Sequence, residues 1–168
     1  MKFIDTHAHL DGEEYAGDLR ETIERAREAG VCKVFLPAID LPSVDRVVAI
    51  SREYPDFFRP MIGLHPEEVR ADYKEVLARM HAMLLSPNPP SPPFIAIGEV
   101  GMDYYWSREF ATEQAEAFEE QVGWSVETRL PLMIHCRKAQ NEMVNILKRY
   151  ARELPGGVFH CFTGNSRE

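Results

Sequence analysis

The sequence predicts an α/β chain folded as a TIM (β/α)8-type parallel barrel, incomplete, with about six βα units. Three observations carry this. Short apolar runs alternate with segments whose apolar residues recur at helical spacing, and strand followed by helix, repeated, requires parallel strands joined by crossovers. The polar residues able to do chemistry fall where the apolar runs end: His7 and His9, His65, Glu99, His135 and His160 close five separate strands. In a barrel those ends meet on one face, where such folds keep their chemistry, and this decides against an open doubly wound sheet. Finally, 168 residues at 45% hydrophobic suffice for one domain with a substantial core, residues 1–168, but fall short of the roughly 250 residues usual for eight units.

Taken in order, Phe3 and Ile4 begin a buried strand whose period of two places His7 and His9 on one side of the backbone. A turn at 10–12 leads to a helix over about 18–29, with Leu19, Ile23 and Ala26 as its stripe and Gly30 at its end. A strand follows at 32–37, then a helix opened by Asp40-Leu41-Pro42 with Val44, Val47 and Val48 inward. The strand 59–64 ends at His65-Pro66, and a helix over 73–85 carries Val76, Leu77, Met80 and Leu84. The five prolines of 86–93 read as an enlarged helix-to-strand loop leading into a strand at 94–99, in which Ile95, Ile97 and Glu99 share a side. Residues 101–106 are read as a loop. A long helix over 109–128 buries Phe110, Phe118, Val122 and Val126; a strand at 131–135, a helix over 139–152 and a strand at 158–160 complete the series.

Composition narrows the function. A net charge of −8 disfavours gripping nucleic acid by a general basic surface, which needs clustered Lys and Arg. An acidic chain acts on phosphates through metal ions that supply positive charge locally. The three cysteines form no CxxC pair and leave one unpaired in any disulfide scheme, as in a reducing compartment. Absence of a charged and apolar leader, and of any apolar run near 20 residues, points to a cytoplasmic chain with no membrane partner.

Alternation aims Met133 with His135, and Val158 with His160, toward the barrel axis, so that Glu99 and the imidazoles surround one cavity. Each alone reads as an ordinary polar strand end; together they read as a metal site. Cys136 and Cys161, next to His135 and His160, then point toward the helix layer as small hydrophobes, which leaves nitrogen and oxygen ligands suited to zinc, magnesium or manganese. His81, on a helix without partners, is read as surface or structural. Tyr104, Tyr105 and Trp106 could stack on unpaired bases, or simply pack at the barrel mouth.

The motifs Phe-Ile-Asp-Thr-His-Ala-His-Leu-Asp at 3–11, Ile-Gly-Leu-His-Pro at 62–66, Ile-Gly-Glu-Val-Gly-Met-Asp-Tyr-Tyr at 97–105, Leu-Pro-Leu-Met-Ile-His-Cys-Arg-Lys-Ala at 130–139 and His-Cys-Phe-Thr-Gly at 160–164 resemble, in order, those of the TatD family of metal-dependent deoxyribonucleases. The resemblance implies a TIM-barrel hydrolase that cleaves DNA phosphodiesters, single-stranded or at duplex ends, with two divalent ions (Zn, Mg or Mn). It implies that His7 and His9 bind one ion, His135 and His160 the second, and that Glu99 bridges them. His65 would lie at the substrate phosphate, so that Glu99 and His65 are the catalytic residues and His65 and Arg137 the substrate-binding ones. Asp103 and Arg137 fall inside matched motifs, Asp103 without a role.

The family's last ligand, an aspartate after an eighth strand, is not in this sequence, and Asn165-Ser166-Arg167-Glu168 reads as a helix start. The expectation is a C-terminally incomplete domain with apolar edges at its first and sixth strands, prone to self-association through those edges. Two other functions fit the same residues: a metal-dependent amidase, lactonase or deacylase, and an inactive truncated fragment.

Overall fold

The structure, a computed structural model, describes residues 1–162. The helix start read at 165–168 lies outside them. Strands and helices alternate as expected: β1 (Phe3–Asp5), α1 (Leu19–Glu28), β2 (Val31–Pro37), α2 (Leu41–Glu53), β3 (Phe58–Met61), α3 (Tyr73–Leu84), β4 (Ile97–Asp103), α4 (Ala111–Thr128), β5 (Leu132–Arg137), α5 (Gln140–Tyr150) and β6 (Gly157–Phe159). Asp40 caps α2 through a capping box with Ser43, its carboxylate accepting the Ser43 N–H at 2.7 Å. The proline-rich segment carries no regular element and joins α3 to β4. Among the described residues no helix is long and apolar enough to cross a membrane.

The expected single barrel sheet is present as two three-stranded parallel sheets, β1-β2-β3 and β4-β5-β6, and among the described residues they do not close. One parallel bridge, Ile62 to Ile97, seams them, helped by the Ile95 N–H donating to the Pro60 carbonyl at 3.1 Å. The seam is thin for a chemical reason. Pro60 has no N–H to give, β3 stops at Met61, and β4 begins only at Ile97, so residues 94–96 pass β3 without forming a ladder.

Helices cover one face of this array. Ile23, Val44, Val47, Leu77, Phe118, Val122 and Met143 pack there against Val34, Leu36, Val100, Leu132 and Ile134. Met61, Ala96 and Met133 form a separate small cluster with Phe35 and Ile95 against it. The division follows strand alternation: Leu132 and Ile134 face the helices, and Met133 faces away from them, as His135 does.

Two expectations about the strands are corrected. β1 is not buried: Phe3 and Ile4 are about half exposed, because β1 is the outer strand of its sheet, paired only with β2. Ile95, Ile97 and Glu99 do not share a side either, since Ile97 joins the helix-facing core. Opposite β5, three steps of β4 from Ile97 to Val100 match two steps from Leu132 to Ile134. The extra residue is a bulge, a device that re-aims a side chain, and past it Glu99, Gly101 and Asp103 share the face that His135 occupies.

Candidate metal centre

His7 and His65 reach the centre through local backbone constraints. The His7 N–H donates to Asp5 Oδ1 at 3.1 Å and the Ala8 N–H to the Phe35 carbonyl at 3.2 Å, which fixes the chain leaving β1. Asp11, just beyond, pairs with Arg46 of α2 at 3.1 Å. The His65 N–H donates to the Ile39 carbonyl at 2.9 Å. Before it, Leu64 is clamped by the buried Gln121 of α4, whose Oε1 accepts the Leu64 N–H at 2.7 Å and whose Nε2 donates to the Leu64 carbonyl at 3.3 Å.

Glu99 sits at the middle of the arrangement, 2% exposed, with its own N–H donating to the Ala38 carbonyl beyond β2 at 3.0 Å. Its two oxygens face different imidazoles. Oε2 lies 3.0 Å from His7 Nε2 and 3.4 Å from His9 Nε2. Oε1 lies 3.1 Å from His135 Nδ1 and 3.8 Å from His65 Nε2. Two sets of metal-ligating atoms result, His7–His9–Glu99 and His65–Glu99–His135. Burial alone would raise the Glu99 pKa, yet the hydrogen bonds from His135, His7 and His9 overcome it and hold the carboxyl well below the usual range.

Gly101 makes room for this centre. Its φ of +152° and a Cβ position 1.8 Å from the His135 carbonyl oxygen leave space for no side chain where β4 and β5 meet. Gly98 is closely packed too, its Cβ position lying 2.5 Å from the Met133 Cβ.

Asp103 is the residue that sequence reasoning left without a role, having placed it in a loop. The structure extends β4 through it, 3% exposed, with Oδ2 2.7 Å from His135 Nε2. Its Oδ1 accepts the Tyr105 N–H at 2.8 Å and its N–H donates to Gln114 Oε1 at 2.9 Å. The signal was available in the alternation of Glu99, Gly101 and Asp103. His135 is thus held between two carboxylates. Burial lowers its pKa, but the bonds to Glu99 and Asp103 outweigh that and raise it.

His65 has the opposite character. Its Nδ1 accepts the Glu67 N–H at 3.1 Å, and burial pushes its pKa down to about 4 against the opposing pull of Glu99, so the ring is neutral with Nε2 toward the centre. His160 does not join His135 at Oε1. Its ring stacks on His7, centroids 3.6 Å apart, and burial lowers its pKa.

These groups border a cavity of about 710 Å³, with Arg137 and Glu67 at its margin. The Arg137 guanidinium lies over the Tyr105 ring at 3.4 Å. Cys161, expected among the helices, is exposed and borders the cavity, because β6 ends at Phe159 and strand alternation no longer governs it. Tyr104 is buried and unavailable for stacking, whereas Tyr105 and Trp106 are exposed. His81 stacks on Trp124 and bonds Glu127 at 2.8 Å, a structural role.

The donor set fits a divalent cation. The Nε2 atoms of His7 and His9 lie 3.1 Å apart beside Glu99 Oε2, so three ligand atoms converge on one point. Among the described residues His7 Nδ1 is buried without a hydrogen-bond partner, and the ring's polar contacts are all made through Nε2. Nitrogen and oxygen ligands suit zinc, manganese or magnesium.

Known proteins resemble this chain along its length. The profile of the family described as TatD related DNase matches residues 4–168. An uncharacterized metal-dependent hydrolase, YabD, of Bacillus subtilis (strain 168) is 38% identical over 163 residues, 97% of this chain and 62% of the relative. A 3'-5' ssDNA/RNA exonuclease TatD of Edwardsiella piscicida is 30% identical over 167 residues, 98% of this chain and 62% of the relative. The chain therefore spans 62% of the length of these curated relatives. Among solved structures, YJJV, a TatD homolog from Escherichia coli K12, superposes with a TM-score of 0.85 at 30% identity, covering 97% of this chain and 61% of that one. A TatD family hydrolase from Entamoeba histolytica shares the fold with a TM-score of 0.77 at 22% identity, covering 99% and 60%.

Proposed function

This chain belongs to the TatD-related DNase family, and from that premise we propose that it is a metal-dependent hydrolase cleaving phosphodiester bonds of single-stranded DNA through a two-metal site. The observation that carries the reading is the division of Glu99, one oxygen toward His7 and His9 and the other toward His135. In this reading His7, His9 and Glu99 hold one divalent ion, and Glu99 and His135 hold the other, whose expected further ligand His160 stacks on His7 in this structure; the two sheets are arcs of one (β/α)8 barrel. Zn, Mg or Mn would activate water and neutralise phosphoryl oxygens there.

The chain's own residues bind and orient. Glu99, held ionised, is the shared ligand. Neutral His65, its Nδ1 occupied by the Glu67 N–H, presents Nε2–H as a donor to a phosphate oxygen. Arg137, braced on Tyr105, supplies a cation at this mouth in a chain of net charge −8. The exposed apolar side chains of the outer strands, Phe3, Ile4 and Val158, are the surface through which self-association is proposed.

The test is hydrolysis by the purified, EDTA-stripped chain with Mn²⁺ or Zn²⁺ restored, on a labelled single-stranded oligonucleotide and on a panel of amides and lactones. Metal-dependent shortening of the oligonucleotide, lost in Glu99→Gln, is the expected result. Preference for the amides or lactones, or cleavage untouched by Glu99→Gln, would overturn the proposal.

A further inference from the structure

Beside the cavity at the imidazoles lies a second one of about 370 Å³, bordered by Pro66, Val69, Trp106, Phe110, Gln114 and Arg70. Small-ligand pockets run from roughly 300 to 1,000 Å³. The two cavities are neighbours: Glu67 borders both, and Asp103 borders the second while bonding His135, which borders the first. Its character differs from that of the metal centre. Trp106, Phe110, Pro66 and Val69 give it apolar walls, and Trp106 is 73% exposed, with the Arg137 guanidinium 5.6 Å from its ring centroid and Tyr105 edge-on at 4.7 Å. Gln114, 6% exposed, has its carboxamide oriented by the Asp103 N–H on Oε1, which assigns the NH2 end as a hydrogen-bond donor.

We infer that this second cavity takes a nucleobase, that of the nucleotide flanking the bond cleaved at the metal centre, stacked on the Trp106 indole with the Gln114 amide donating to a base acceptor. The inference rests on the phosphodiesterase reading above. A chain of net charge −8 holds a polyanion poorly by charge, whereas stacking on an aromatic side chain depends on the base and tolerates any sequence. Asp103 links the parts: Oδ2 bonds the His135 ring, Oδ1 accepts from Tyr105 beside Trp106, and its N–H donates to Gln114. A base seated in the cavity thereby lies one residue away from the metal ligands.

The test is fluorescence anisotropy of the full chain with a phosphorothioate single-stranded oligonucleotide and with an abasic version of the same length and charge. The expected result is about tenfold weaker binding of the abasic strand, the scale of one base–aromatic stack. Trp106→Ala should bind the intact strand as weakly as the abasic one, and Trp106→Phe should recover most of the difference. Equal binding of both strands by the unmodified chain, or an undiminished difference in Trp106→Ala, would overturn the inference. Cleavage of an unmodified oligonucleotide is scored separately: its failure with the base-dependent difference intact overturns the hydrolase reading and leaves the cavity's occupant standing.

Discussion

His135 and Asp103 are joined by a 2.7 Å contact between Nε2 and Oδ2, on the side of the ring opposite Glu99. An ionised carboxylate only accepts, so Asp103 fixes the proton on Nε2 and leaves Nδ1 as the atom that faces the centre. Asp103→Asn keeps the shape, but with its oxygen on the Tyr105 N–H the amide turns an N–H2 toward Nε2 and favours the opposite tautomer. Calorimetric titration with Mn²⁺ should show the site containing His135 weakened about 10- to 100-fold, with the His7–His9 site unchanged. Equal weakening of both sites would deny the orienting role.

The same contact sets a pH dependence. Between two carboxylates the metal-free His135 titrates above its ordinary value, so a proton competes with a cation at Nδ1. Cation affinity should therefore rise with pH through and above about 6.5, the unperturbed histidine value, with proton release seen as a buffer-dependent binding enthalpy. An affinity flat from pH 6 to pH 8, taken as about that window, would contradict it.

Gly101→Ala should be among the most damaging single changes. The added methyl would sit 1.8 Å from the His135 carbonyl oxygen at a φ of +152°, so β4 and β5 must separate. A loss of about 3 kcal/mol or more is expected from strain at such a position, read as a shift of the urea midpoint. Gly123→Ala, on α4 with open space around its Cβ position, should be neutral or slightly stabilising.

Gln121 reaches the site only through the backbone of Leu64. Gln121→Leu removes both of its bonds to that residue and leaves a buried N–H unpaired. The expected cost is about 1–3 kcal/mol, with weaker oligonucleotide binding through a loosened His65. Wild-type stability in chemical denaturation would show that the clamp contributes nothing.

Much of this arrangement was legible in the sequence because strand ends and imidazoles coincide: His7, His9, His65 and His135 all meet at Glu99. What stayed hidden depended on β4. The sequence reading ends the strand at Glu99 and assigns Asp103 to a loop, whereas β4 runs on through Gly101, a glycine because the His135 carbonyl occupies its Cβ position. The bulge between Ile97 and Val100 shifts alternation by one residue, which periodicity cannot foresee. The exposure of Phe3, Ile4 and Val158 was equally invisible residue by residue, since apolar composition reads as burial until the outer strands are known.

The most direct measurement is the divalent-metal stoichiometry of the purified chain, by plasma mass spectrometry after equilibration with Zn²⁺ or Mn²⁺, beside Glu99→Gln. A shared carboxylate predicts about two ions per chain, and in the folded variant the loss of both together. A variant that keeps both ions, or an unmodified chain that takes up none, would contradict the account.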